Sequence, residues 1–169
     1  MTTAQLINQT SGDTEWYTPT PIIEAARMTL GSIELDPASS DKANEVVQAK
    51  RYFTKEINGL GRDWSCDTIW MNHPFGRTTN VPWVGRLLAA WVGKEIRVAA
   101  CCITYACTSE SWFRPLMDYP QCFLSPRTNY RLPDGSIMRG VTKGSVVTYL
   151  GRDLERFRKF FNPLGKVKV

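Results

Sequence analysis

An amide, an imidazole, a proline and an aromatic ring stand in consecutive places at Asn72-His73-Pro74-Phe75, followed by Gly76 and Arg77. An amino group attached to an aromatic heterocycle is a poor nucleophile, because its lone pair is delocalised into the ring. Two acceptors on its two N–H bonds hold the nitrogen nearer tetrahedral geometry, turn the lone pair toward an electrophile and stabilise the positive charge that develops on transfer. Asn72 supplies one acceptor, its side-chain oxygen, and the backbone carbonyl of His73 supplies a second when the loop is rigid. Phe75 offers a face on which a flat base could stack. The same four residues also fit an ordinary polar turn closed by a core Phe.

The stretch must be positioned by what precedes it. Thr68-Ile69-Trp70-Met71 is β-branched, aromatic and apolar, which predicts a buried strand, and Pro74 and Gly76 end it. The tetrapeptide therefore sits at a strand's carboxyl end, the edge of an open α/β sheet where ligands bind. A second site of this kind is Asp36-Pro37-Ala38-Ser39-Ser40, after a predicted strand over residues 32–35 and before a predicted helix over residues 41–52. Small residues let a ligand approach the backbone there, and the Asp36 carboxylate suits a cation. A plain strand-to-helix connection capped by Ser40 or Asp41 fits as well. No Gly-x-Gly accompanies the turn, so the dinucleotide fingerprint is absent.

Upstream, Pro19 and Pro21 suit a first helical turn, Thr18 or Thr20 can cap it, and Ile22, Ile23, Ala26 and Leu30 form its apolar face before Gly31. A short strand is expected over residues 52–54, with a turn at Asn58-Gly59. Only 35 positions separate Asp36 from Asn72, so the sheet must be pared down from a full doubly wound one. Downstream come a helix over residues 81–92 capped by Asn80, a central strand over residues 96–103, and a short helix opening at Ser109 to Phe113. Segments 121–125, 129–132 and 145–150 around the Pro133-Asp134-Gly135 turn predict an antiparallel closing hairpin. A last amphipathic helix over residues 153–161 carries Leu154, Phe157, Phe160 and Phe161 on one stripe.

With 169 residues and 43% hydrophobic content the chain can bury one core, so one domain over residues 14–169 is expected behind a polar, pattern-free tail at residues 1–13. No run approaches the roughly 20 apolar residues of a membrane span, and no signal-peptide pattern opens the chain, so a soluble, cytoplasmic protein without membrane contact is expected. Five cysteines, mostly in apolar segments, read as reduced core residues, and with one His no metal site is expected. Charge is divided: residues 1–72 carry net −4 and residues 73–169 net +9, giving +5 overall. The basic half suits a polyphosphate and the acidic half a cationic small molecule such as S-adenosylmethionine, although solvated helix faces would also account for the basic residues.

Three elements stand in one order: Tyr17-Thr18-Pro19, Leu35-Asp36-Pro37-Ala38-Ser39-Ser40, and Asn72-His73-Pro74-Phe75. This order resembles that of adenine-specific DNA methyltransferases, and more closely the small Dam-like phage and prophage DNA N6-adenine methyltransferase family. The likeness runs from about Glu15 to Val167 and takes in Glu15-Trp16-Tyr17-Thr18-Pro19, Asn58-Gly59-Leu60, Thr108 with Trp112-Phe113, Arg127 with Asn129-Tyr130, Gly144-Ser145-Val146, and Phe161 with Leu164-Gly165.

The resemblance implies a Rossmann-like class I methyltransferase fold, S-adenosylmethionine as donor, DNA as partner, a bacterial host cell as location, and a target base flipped out of the duplex. By the same likeness Tyr17, Thr18, Pro19, Asp36, Pro37, Ala38 and Ser39 contact the donor, and Asn72, His73, Pro74 and Phe75 hold the adenine. Arg77, Arg127, Arg131, Arg139 and Lys143 are the candidates for phosphate contacts, and no obligate protein partner is evident. One position departs: His73 stands where the family has a first proline, which loosens the loop, although a residue before proline is itself confined to extended geometry. An inactive donor- and DNA-binding relative, or one acting on another base, on RNA or with a modified donor, therefore stays open.

Overall fold

The computed structural model describes residues 15–169; the tail at residues 1–13 expected from the sequence, and Thr14, lie outside them. Five helices and strands precede the Asn72 loop: α1 (Thr20–Leu30), β1 (Leu35–Asp36), α2 (Asp41–Val47), β2 (Arg51–Tyr52) and β3 (Cys66–Met71). Then follow α3 (Asn80–Val92), β4 (Ile96–Tyr105), β5 (Gln121–Leu124), β6 (Ser145–Leu150), α4 (Leu154–Phe161) and β7 (Gly165–Lys168). The strands form one mixed seven-stranded sheet in the order β2-β1-β3-β4-β6-β5-β7. The first four are parallel, and β6, β5 and β7 join antiparallel, with Tyr105 opposite Ser145 and Phe123 opposite Val146.

Alternation along the central strands builds two cores, because successive side chains leave opposite faces of a sheet. Trp70, Cys101, Ile103, Val147 and Tyr149 meet Ile22, Ile23, Ala26 and Leu30 of α1 and Phe157 and Phe161 of α4 on one face. Ile69, Met71, Ala100, Cys102 and Leu150 meet Trp83, Leu87 and Ala90 of α3 on the other. A strand covered on both faces has no polar side to show, which is why β4 reads as an almost unbroken apolar run. Cys66, Cys101, Cys102 and Cys122 are buried and Cys107 half-buried, all as free thiols.

The chain leaves β1 toward β2 at one edge, then returns to lay β3 on the other side of β1 and moves on to β4. Direction reverses between β1 and β3, so the connections at their carboxyl ends diverge and open a crevice.

Several sequence expectations are corrected. The second helix ends at Val47, not near residue 52: Gln48 turns left-handed at φ 54, the Asn44 amide bonds both backbone groups of Ala49, and Lys50 and Arg51 donate to Ile33 and Glu34. Pairing across the sheet overrides the helical propensity of residues 48–50. Neither Thr18 nor Thr20 caps α1, whose cap position is Pro19, and Thr79 rather than Asn80 precedes α3. Residues 109–113 form turns that lead into a short 3-10 helix, Arg114–Asp118. The segment at residues 129–132 forms only isolated bridges, Arg131 to Tyr17 and to Ile137. The antiparallel closing pair is β5 with β6, and Leu154 lies exposed beside the buried Phe157 and Phe161. Strand β7 was not expected at all; a β-carbon at Gly165 would fall 2.1 Å from the Phe123 carbonyl oxygen, so its approach to β5 requires glycine.

Candidate active site

A cleft of about 860 Å³ opens at the carboxyl ends of β1 and β3. Ligand pockets of small molecules span roughly 300–1,000 Å³, so the space suits one or two such groups. Its lining brings together Tyr17, Thr18, Asp36, Pro37, Ala38 and Ser39 from the predicted donor set with Asn72, His73, Pro74 and Phe75 from the predicted acceptor set. Arg77 and Arg131 line it as well. Pro19 does not: it sits behind the wall as the cap of α1. Arg127 and Arg139 are exposed outside the cleft wall on the long β5–β6 connection, and Lys143 lies 5.7 Å from the centre of the Tyr105 ring.

The turn after β1 holds a carboxylate in an unusual place. Asp36 is only 2% exposed, and its Oδ1 accepts the Ala38 N–H at 3.2 Å. Burial pushes its carboxyl from the ordinary 3.8 up to about 7, against the lowering pull of Ala38 and of the Ser39 hydroxyl. A buried carboxylate with no cation beside it is costly, so the site favours whatever positive group can reach it. Ser40 accepts the Ala43 N–H at 3.0 Å, capping α2 as the sequence allowed. From below, the turn rests on Gly59, whose carbonyl accepts the buried Trp64 indole N–H at 2.8 Å.

The loop after β3 is held at several points. Asn72 Nδ2 donates to the Trp16 carbonyl at 2.8 Å, and a carbonyl can only accept, so the amide nitrogen must face it. Asn72 Oδ1 is thereby turned away, and among the described residues nothing donates to it or to the His73 carbonyl. The Pro74 carbonyl, by contrast, is taken by the Thr79 hydroxyl. His73 is neither solvent-facing nor free: it is 1% exposed, and its Nε2 lies 2.9 Å from Asn80 Oδ1. Asn80 thus serves the imidazole rather than its helix end. Burial lowers the His73 pKa to about 4, so the ring is neutral, and the Asn80 oxygen selects the Nε2–H tautomer.

Around the loop stands an aromatic cluster from four separate elements. Phe75 packs 4.9 Å from Tyr105, 5.7 Å from Tyr130 and 6.3 Å from Trp16, centroid to centroid. Tyr130 is fully buried with its hydroxyl 2.8 Å from Ser145 Oγ. Sequence reasoning gave no role to Trp16, Tyr105 or Tyr130; Trp16 and Tyr130 lie inside the motifs quoted for the resemblance, whereas nothing local marks Tyr105. Among the described residues, buried polar atoms without a partner include Trp16 Nε1, Thr18 Oγ1 and His73 Nδ1, all on cleft-lining residues. Such orphans are uncommon in native structures; two more, Arg27 Nε and Thr104 Oγ1, are on residues that do not line the cleft. Among those residues no group of three His, Cys, Asp or Glu is placed to hold a metal, and no helix is long and apolar enough to cross a membrane.

A search of curated proteins found no match. The family model described as DNA N-6-adenine-methyltransferase (Dam) matches residues 6–123, a span that includes α1, the Asp36 turn, the Asn72 loop and β4. That span is well over half of the chain, and the chain therefore belongs to the Dam family of DNA N-6-adenine-methyltransferases.

Proposed function

We propose that this protein transfers a methyl group from S-adenosylmethionine to the exocyclic amine of adenine in DNA, within a pared-down class I, Rossmann-like methyltransferase domain. The observation that carries the reading is the pair of unpartnered acceptors at the Asn72 loop, in a cleft whose other wall holds the buried Asp36 carboxylate. The donor supplies a methyl group on a positively charged sulfonium, ready to be displaced by a lone pair. Asp36, Thr18 Oγ1 and the backbone after β1 fit such a ligand: among the described residues no cation pairs with the carboxylate and the hydroxyl lacks a partner.

Asn72 Oδ1 and the His73 carbonyl receive the two N–H bonds of the amine and direct its lone pair away from the ring, stabilising the charge that develops. The proton released afterwards passes to water; neutral His73, its Nδ1 buried, is not asked to take it. Phe75 is half-buried and keeps part of its ring available to an adenine flipped out of the helix. The loop that lost one proline regains stiffness from the His73–Asn80 and Thr79–Pro74 hydrogen bonds, which favours an active enzyme over an inactive relative. Arg77 and Arg131, which line the cleft, and the exposed Arg127, Arg139 and Lys143 receive the phosphates.

Nucleoside mass spectrometry of DNA incubated with protein and donor should show N6-methyladenine, and none with Asn72→Ala. Donor affinity measured by calorimetry should survive that substitution, since the lost interaction belongs to the transition state. Methylation undiminished in Asn72→Ala would remove the loop from the chemistry.

A further inference from the structure

The orientation of Asn72 depends on a residue 56 positions earlier. The Trp16 carbonyl that receives the Asn72 amide is itself fixed on both sides. Tyr17, the next residue, exchanges two backbone hydrogen bonds with Arg131, at 2.8 and 2.9 Å, and its phenol lies 3.2 Å from the hydroxyl of Ser40. The Trp16 ring meets Phe75, Tyr105 and Tyr130 with centroids 6.3, 6.2 and 6.1 Å away. A short strap thus touches the turn after β1, the loop after β3 and the β5–β6 connection.

We propose that the main-chain carbonyl of Trp16 is the positioning group for the reaction: it holds Asn72 Nδ2, so that Oδ1, and not the nitrogen, meets the amine of the substrate. The inference rests on the function proposed above. It has a chemical consequence at position 72. The side chain there must donate to Trp16 and accept from the substrate at once, which a carboxamide does and an ionised carboxylate cannot. Asn72→Asp would set a negative oxygen against the carbonyl dipole of Trp16; protonated, the same side chain would regain one donor and one acceptor.

Two measurements test this. In the donor-free, isotopically labelled protein, the Asn72 side-chain amide, assigned by its loss in Asn72→Ala, should show one proton protected from exchange and one exchanging freely. In Asn72→Asp, kcat at saturating donor and DNA should fall about tenfold per pH unit above the pKa of the new carboxyl, with the parent showing no such descending limb. Both amide protons exchanging freely would overturn the proposal, as would an Asn72→Asp enzyme with the parent's pH profile, or one inactive throughout about pH 5–9. A parent that methylates no DNA would defeat the functional reading instead; the exchange measurement decides the Trp16 contact without any turnover.

Discussion

A β-carbon on Gly59 would fall 2.0 Å from the carbonyl oxygen of Pro37, a distance no real side chain occupies. The 3-10 turn Gly59–Gly61 therefore lies directly under the turn after β1, and glycine is what permits the contact. Gly59→Ala must displace either Pro37 or the turn beneath it, and overpacking of this kind costs typically 1–3 kcal/mol. The expected result is a lowered melting temperature together with weakened S-adenosylmethionine binding. Unchanged values of both would mean that the two turns are not mechanically linked.

Donor affinity should depend on pH through Asp36. Its carboxyl titrates at about 7 in the donor-free fold, and only the charged form attracts a cation. Affinity should therefore rise about tenfold per pH unit below that point and level off above it. Asp36→Ala should weaken binding by tenfold or more, from loss of a charge-assisted contact of ~1.5–3 kcal/mol. A flat affinity profile in the parent would exclude the carboxylate from the site.

The same group affects the empty protein in the opposite sense. Between about 3.8 and 7 the folded state holds a proton on Asp36 that the unfolded chain has lost, so stability falls as pH rises through this window. The full effect is on the order of 4 kcal/mol. Asp36→Asn should stabilise the donor-free protein at pH 8 and leave it unchanged at pH 3.5, as read by denaturant unfolding. Equal stabilities of variant and parent at both values would refute the burial argument.

His73 acts the other way. Its folded value is lowered from 6.5 to about 4, so stability falls as pH drops through that interval, by about 3 kcal/mol at most. His73→Pro would remove this acid sensitivity and keep the acceptor carbonyl, but it strands Asn80 Oδ1 and should cost about 1–3 kcal/mol at neutral pH. Transfer at a temperature where the variant is folded should persist. Loss of transfer there would give the imidazole a role of its own.

Arg127 and Arg139 are exposed and, among the described residues, unpaired, unlike Arg86 and Arg97, which hold Glu95 and Asp67. Converting both to Ala should leave the fold intact and reduce the slope of log DNA affinity against log salt by about two. A slope identical to the parent's would place the DNA elsewhere.

What the sequence determined by itself was local. The β-branched and aromatic run before Asn72, the prolines at the start of α1 and the Gly31 that ends it each carry their conformation in their own covalent structure. So the order of helices and strands from α1 through β4, and the placement of Asp36 and Asn72 at strand ends, were legible without coordinates. The nearly continuous apolar run of β4 was legible as a central strand because a strand covered on both faces needs no polar side.

Only tertiary structure decided the rest. Whether residues 48–52 continue a helix or join a sheet depends on Ile33 and Glu34 offering carbonyls to Lys50 and Arg51, and propensity differences of a few tenths of a kcal/mol yield to such pairing. The burial of His73 against Asn80, the convergence of Trp16, Phe75, Tyr105 and Tyr130, and the grip of Trp16 on Asn72 join residues far apart in the chain. Such contacts are set by strand register and close packing, which no local window of residues encodes.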